Sequence, residues 1–129
     1  MIQKGCYLKV IDNSGARLVY CINIISTNNT KRYAMVGDLL LVSVKKLRVK
    51  RRYAAKIKKG ALARALLVRS KIYNTFYYGD KIKFYDKAVI LINLKNYNLI
   101  GTRIFGLLPK YFRFTQYLRI LSICSGTRN

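Results

Sequence analysis

Residues 61–68 read ALARALLV, and whether they form a helix or a strand decides the fold. Alanine, leucine and arginine are strong helix formers, so local propensity alone makes this segment a helix. Its neighbours oppose that reading. Upstream, Tyr7–Ile11 alternates weakly, Asp12-Asn13-Ser14-Gly15 places four turn formers in a row, and Leu18–Ile25 is a β-branched, aromatic run. That pattern is a hairpin. A polar loop, Ser26–Arg32, leads to the tight turn Val36-Gly37-Asp38, and Leu39–Val44 reads as a further strand. Downstream, Lys81–Phe84 alternates cation with apolar residue, and Ala88–Asn93 is a short apolar run. Five or six short strands of this kind predict a small barrel. Beyond the single proline, Pro109, the spacing of Tyr111, Phe112, Phe114, Leu118, Ile120 and Leu121 predicts one or two short helices capping an open barrel end.

Between the third strand and ALARALLV lies KKLRVKRRYAAKIKKG, residues 45–60, in which nine of sixteen residues are Lys or Arg and none is acidic. The bias extends over the chain, with 26 cations against the four acids Asp12, Asp38, Asp80 and Asp86, a formal charge of +22. At most four cations can find an internal carboxylate, so an external polyanion is expected to gather the rest. The hydrophobic fraction of 52% excludes a disordered polycation and implies a folded core under a charged coat. Length and the lack of a Gly/Ser-rich run predict one domain over 1–129, with a barrel over about 1–106, the basic extension at 45–60 and a short helical part at about 109–124.

No apolar stretch approaches the ~20 residues of a spanning helix. The N-terminus enters a strand pattern at once, and no removable leader is expected. Cys6, Cys21 and Cys124 are widely spaced and no histidine accompanies them, which argues against a disulfide framework or a metal site. Cys21 and Cys124 lie in apolar contexts and read as small buried hydrophobes.

Catalysis at neutral pH needs a group that titrates or attacks there. The chain has no histidine, no glutamate and no closely spaced carboxylates, and it lacks the glycine-rich phosphate loops. It is not expected to be an enzyme or to carry a cofactor. Nucleic acid suits the basic segment better than a membrane, because adjacent pairs such as Arg51-Arg52 and Lys58-Lys59 do not fall on one helical face. Tyr33, Tyr53 and Tyr77-Tyr78 lie beside cations, as base-stacking platforms would, although packing is the more ordinary use of tyrosine.

The two most specific segments are Asp12-Asn13-Ser14-Gly15-Ala16-Arg17 and Gly101-Thr102-Arg103-Ile104-Phe105-Gly106. In the second, Ile104 and Phe105 are expected to anchor the chain on the core while Arg103 projects outward. Together with Cys21-Ile22, Arg32-Tyr33-Ala34, Val36-Gly37-Asp38, Val44-Lys45, Lys58-Lys59-Gly60, Val68-Arg69 and Ala88–Asn93, these segments resemble, in order, the universal large-subunit ribosomal protein L-fourteen family. The resemblance runs from Met1-Ile2-Gln3 to about Ser122. It implies a mainly β fold, a five-stranded OB-like barrel with a protruding basic loop or hairpin and small C-terminal helices, and it assigns ALARALLV to a strand.

It also implies a non-enzymatic protein whose cations hold large-subunit ribosomal RNA, beside neighbouring large-subunit proteins. An exposed edge would meet small-subunit RNA in an intersubunit bridge, and a ribosome-silencing or anti-association factor is an expected further partner. The residues assigned to large-subunit RNA are Asn13, Ser14, Arg17, Lys31, Arg32, Lys45, Arg48, Lys50, Arg51, Arg52, Lys56, Lys58, Lys59, Arg69 and Arg103. Lys110 and Arg113 are assigned to the bridge.

This chain departs from the family pattern in three places. Segment 45–60 is longer and more basic than is usual in bacteria, with Lys46 where a glutamate is common. Ile72–Asp80, IYNTFYYGD, replaces the family's basic run with aromatics. Lys110-Tyr111-Phe112-Arg113 keeps only part of a more charged motif. Phe, Tyr, Met, Ile, Asn and Lys, all favoured by A/T-rich codons, make up 56 of 129 residues, which predicts translation inside an organelle, a mitochondrion rather than a plastid. The competing functions are a free OB-type single-strand-binding protein, which should bind short oligonucleotides alone, and a membrane-surface protein, which should bind anionic vesicles after nuclease treatment.

Overall fold

The computed structural model describes residues 2–25, 32–51 and 54–128. Five strands close a barrel: β1 (Tyr7–Val10), β2 (Ala16–Ile25), β3 (Leu39–Leu47), β4 (Leu62–Arg69) and a strand at Ala88–Ile92. Two short strands intervene in the chain, β5 (Asn74–Thr75) and β6 (Lys81–Ile82), so the closing strand is β7. Neighbours in the order β1-β2-β3-β4-β7 are antiparallel, and β7 returns parallel to β1. Closure leaves no free sheet edge in the barrel.

ALARALLV is a strand, and its burial explains why its sequence is ambiguous. Ala63, Ala65 and Leu67 point into the barrel with Val89 and Leu91 of β7, whereas Leu66, Val68, Ile90 and Ile92 belong to a second apolar cluster outside it. Both faces of β4 and β7 are therefore covered, so neither strand alternates apolar with polar. Tertiary burial overrides helix propensity here.

The outer cluster is closed by the C-terminal part. β8 (Ile104–Pro109) pairs in parallel with β9 (Cys124–Arg128), and between them run a 3-10 turn, Lys110–Phe114, and α1 (Arg119–Ser122). Phe112 and Ile120 are buried against Leu66, Ile90 and Leu108. The short helical turns are thus present but cover the outer face of β4 and β7 in place of the expected open barrel end, and Phe114 and Leu118 stand exposed at 74% and 56%.

Three further outcomes differ from the sequence expectation. Lys81–Phe84 supplies no barrel strand; only Lys81–Ile82 is extended, paired with Asn74–Thr75 in a small ribbon that lies outside the barrel. The barrel ends at Ile92, and 104–109 belongs to the β8–β9 ribbon, which was not anticipated. Cys124 is only partly buried, its Sγ donating to the carbonyls of Leu121 and Gly126, while Cys21 is fully buried.

The basic segment does not leave the barrel freely. β3 continues to Leu47, opposite Ala16, and the chain then folds back: Arg48 N–H donates to Gly15 O at 2.9 Å, Lys56 N–H to Ser14 O at 2.8 Å, and Ile57 enters the barrel core.

Candidate nucleic-acid interface

The Asp12–Arg17 turn and the Gly101–Gly106 segment, far apart in the chain, are bonded to each other. Asn13 Oδ1 accepts from the backbone N–H of Thr102 at 2.7 Å and of Arg103 at 3.2 Å, while Asn13 Nδ2 donates to Thr102 Oγ1 at 2.9 Å. Phe105 N–H donates to Ile11 O at 2.9 Å. Gly101 lies so close that a Cβ there would come within 2.8 Å of the Asp12 Cβ.

Asp12 is the centre of this junction. Its Oδ1 accepts from both the N–H and the hydroxyl of Ser14, forming an Asx turn, and its Oδ2 accepts from Leu91 N–H at 2.9 Å. Burial pushes its carboxyl up from the ordinary value, against the opposing pull of these three hydrogen bonds and of the Arg48 charge. Asn13 and Ser14, expected on RNA, therefore hold the turn together, with Ser14 fully buried.

Arg69 is likewise turned inward. Its guanidinium donates to Phe105 O at 2.8 Å and Leu107 O at 2.9 Å and pairs with Asp86 at 3.2 Å. Gly106 permits this approach, because a Cβ at that position would collide with the Arg69 guanidinium. Arg48 is half-buried, donating to Val10 O at 3.1 Å with its guanidinium 5.5 Å from the Phe105 ring centroid.

Around this internal frame the outward cations form a continuous face. Lys9 of β1 stands opposite Leu18 of β2, which stands opposite Lys46 of β3. A groove lined by the apolar Val10, Ile11, Leu18, Val49 and Phe105 also carries Lys9, Arg17, Arg48, Lys50 and Arg69. It adjoins, through Arg17 and Val49, a second depression bordered by Lys45, Lys46 and Lys59. Lys45 Nζ lies 5.5 Å from the Tyr20 ring centroid, and Tyr20 meets Tyr7 edge-on at 5.3 Å. No acid stands in this lining, and Asp12 lies buried beneath it.

Of the residues expected on RNA, Arg17, Lys45, Arg48, Lys50 and Lys59 meet on this face, Arg69 also lines the groove although its guanidinium is engaged inward, and Lys56 and Lys58 are exposed on the same basic segment. Arg32 and Arg103 are exposed but do not line the groove. Lys31 and Arg52, and the side chain of Arg51, fall outside the described residues. Lys110 is half-buried and Arg113 exposed on the 3-10 turn. Sequence reasoning passed over Lys9 and named Lys46 only as an added charge of segment 45–60; the alternation of Tyr7–Val10 carried the signal for Lys9, since every second residue of a half-buried strand faces out. Among the described residues there is no cluster of potential metal ligands, and no helix is long and apolar enough to cross a membrane.

The sequence matches the family model described as "Ribosomal protein L14p/L23e" over residues 1–127. It is 38% identical over 123 residues to the "Large ribosomal subunit protein uL14" of Carsonella ruddii (strain PV), covering 95% of this chain and 96% of that protein.

Proposed function

The chain belongs to the ribosomal protein L14p/L23e family, a structural and non-enzymatic component of the large ribosomal subunit, and from that membership we propose that its Lys9–Arg17–Lys46 face clamps folded large-subunit ribosomal RNA. The observation that carries this reading is the pair of adjoining depressions lined by Lys9 of β1, Arg17 of β2, Lys45 and Lys46 of β3, and Lys50 and Lys59, with no acid in their lining. A rigid barrel holds these charges at fixed spacing, so each phosphate neutralised releases condensed counterions without a large ordering cost. Such contacts position the protein; they do not read base sequence. The Asp12–Asn13–Ser14 junction serves the clamp indirectly, by fixing the turn on which Arg17 and the returning basic segment rest.

On the same premise, Arg113 and Lys110 mark the edge that meets small-subunit RNA, and the exposed Arg103 adds a cation from the Gly101–Gly106 segment to large-subunit RNA. Neighbouring large-subunit proteins and a subunit anti-association factor remain the further partners this reading calls for. The weight of residues with A/T-rich codons supports translation in an organelle, and we assign the protein to the mitochondrial ribosome.

The test is sedimentation of mitochondrial lysate on a sucrose gradient with and without nuclease, following the protein by mass spectrometry. Co-migration with the large subunit, lost on RNA digestion or at high salt, is the expected result. Migration near the top, apart from ribosomal RNA, overturns the clamp; co-migration with ribosomes of another compartment overturns only the mitochondrial assignment.

A further inference from the structure

The four most exposed aromatic side chains among the described residues are carried by the β5–β6 hairpin, its flanks and the 3-10 turn. Tyr77 is 98% exposed, Tyr85 90%, Phe114 74% and Tyr73 63%. Three of them belong to the β5–β6 hairpin and its flanks, and the fourth is tied to it by a Tyr78–Phe114 contact at 5.9 Å. An apolar patch of this kind on a soluble assembly marks a contact surface.

The patch has a rigid base. Phe76 is buried and stacks on Tyr111 at 4.5 Å and on Tyr78 at 5.9 Å, and Tyr111 packs edge-on against the buried Phe112. Phe114 is thus tied through Tyr78 to an aromatic stack anchored in the core cluster, and Tyr77 lies between Phe76 and Tyr78 in the chain. Burial, with the neighbouring Asp80 and Tyr111, pushes the Tyr78 hydroxyl above its ordinary value.

Cations interleave with the rings. Lys81 pairs across the ribbon with Thr75, Lys83 Nζ lies 5.3 Å from the Tyr73 ring centroid, and Lys71 and Arg113 are exposed beside the patch; Asp80 is the exposed acid at its tip. Flat rings alternating with lysines suit a polymer that offers aromatic faces and regularly spaced negative charge, which is unpaired RNA. Of the acids at this corner, Asp86 is paired with Arg69 and Asp38 accepts from Met35 N–H, so a protein partner would find Lys71, Lys81, Lys83 and Arg113 with Asp80 beside them, whereas a duplex would offer no base faces to the tyrosines.

We propose that the β5–β6 hairpin, with Tyr73, Tyr77, Tyr85 and Phe114, is a stacking platform for unpaired bases of a single-stranded RNA segment, separate from the phosphate clamp on the barrel face. The proposal rests on the ribosomal reading, but it uses different residues and different chemistry.

Ultraviolet cross-linking of intact large subunits at short wavelength, followed by trypsin and mass spectrometry, tests it. Cleavage after Lys71 and Lys81 releases the peptide Ile72–Lys81, which carries Tyr73, Tyr77 and Tyr78. Nucleotide adducts on that peptide are expected. Recovery of the peptide without adducts, or linked by a protein cross-linker to a neighbouring ribosomal protein, overturns the platform. Adducts confined to basic-face peptides overturn the platform and leave the clamp standing; adducts confined to 72–81 do the reverse.

A titration of the full chain with oligouridylate provides the second readout, because the chain has no tryptophan and tyrosine emission reports stacking directly. Replacing Tyr73→Leu, Tyr77→Leu and Tyr85→Leu together, all exposed positions, should weaken binding by roughly tenfold or more while leaving its salt dependence unchanged. Undiminished binding by this variant overturns the proposal.

Discussion

The backbone of Gly15 lies directly against Ala55, so that a β-carbon at position 15 would come within 2.7 Å of the Ala55 methyl. This contact joins the Asp12–Gly15 turn to the returning arm of the basic segment, alongside the bonds from Arg48 and Lys56 to Gly15 and Ser14. It makes the arrangement of the cations depend on a residue that carries no charge.

Gly15→Ala should therefore cost about 1–2 kcal/mol for placing a side chain at φ +98°, with a further cost from displacing Ala55. Thermal unfolding should show the loss of stability, and RNA binding measured well below the melting temperature should weaken as the basic arm shifts. Binding that keeps parental affinity in a folded Gly15→Ala protein would show that the arm's position does not matter.

Asp12 gives the junction a pH dependence whose sign can be worked out. Its carboxyl titrates above its ordinary 3.8 in the folded protein, so between those two values the folded state binds more protons than the unfolded one. Its contribution to stability is fully present below the unfolded value and declines as pH rises through the folded value. Asp12→Asn removes that titration. It also presents an amide where Ser14 and Leu91 both need acceptors, at a cost of about 1–3 kcal/mol. Denaturant unfolding of both proteins from acid to neutral pH should show the gap between them narrowing as pH rises; a gap that widens contradicts the raised carboxyl.

Much of this architecture is legible from local sequence because it rests on local causes. The hairpin about Asp12–Gly15 and the turn at Val36–Asp38 follow from turn chemistry, and Gly37 indeed takes φ +99° with Asp38 capping Met35 N–H at 2.7 Å. β4 was ambiguous because its strand state comes from burial on both faces, which no window of eight residues contains. β9, CSGTR, carries little strand propensity and exists because β8 offers it a parallel partner some twenty residues earlier. The site divides in the same way. Clustered lysines announce themselves by charge alone, but Asn13, Ser14 and Arg69 look the same in sequence whether they face a phosphate or bond within the protein, to backbone N–H groups, to Asp12 and to backbone carbonyls respectively. Only the fold, by bringing 102–107 against 12–13 and 69, decides which.

Arg69→Gln separates those two roles. A glutamine has neither the planar fork nor the charge and cannot hold Phe105 O, Leu107 O and Asp86 together, so the variant should lose about 1–3 kcal/mol of stability. Its RNA affinity should keep the parental salt slope. A slope reduced by about 0.9 would mean that Arg69 neutralises a phosphate, and that its inward bonds open on the ribosome.

The cations of the face itself should behave oppositely. Arg17, Lys45, Lys46 and Lys59 are exposed and line the two adjoining depressions, so replacing all four with glutamine removes charge without emptying any part of the core. Stability should change little, because exposed charges contribute under about 1 kcal/mol each, and relief of repulsion offsets any loss. Affinity for large-subunit RNA should fall, and the slope of log affinity against log salt should flatten by roughly 0.7 to 0.9 for each cation that meets a phosphate. A slope unchanged in the quadruple variant would place the RNA elsewhere on the molecule. Flattening by only one or two contacts would narrow the clamp to a subset of the four, with Arg17 the first to retain since it borders both depressions.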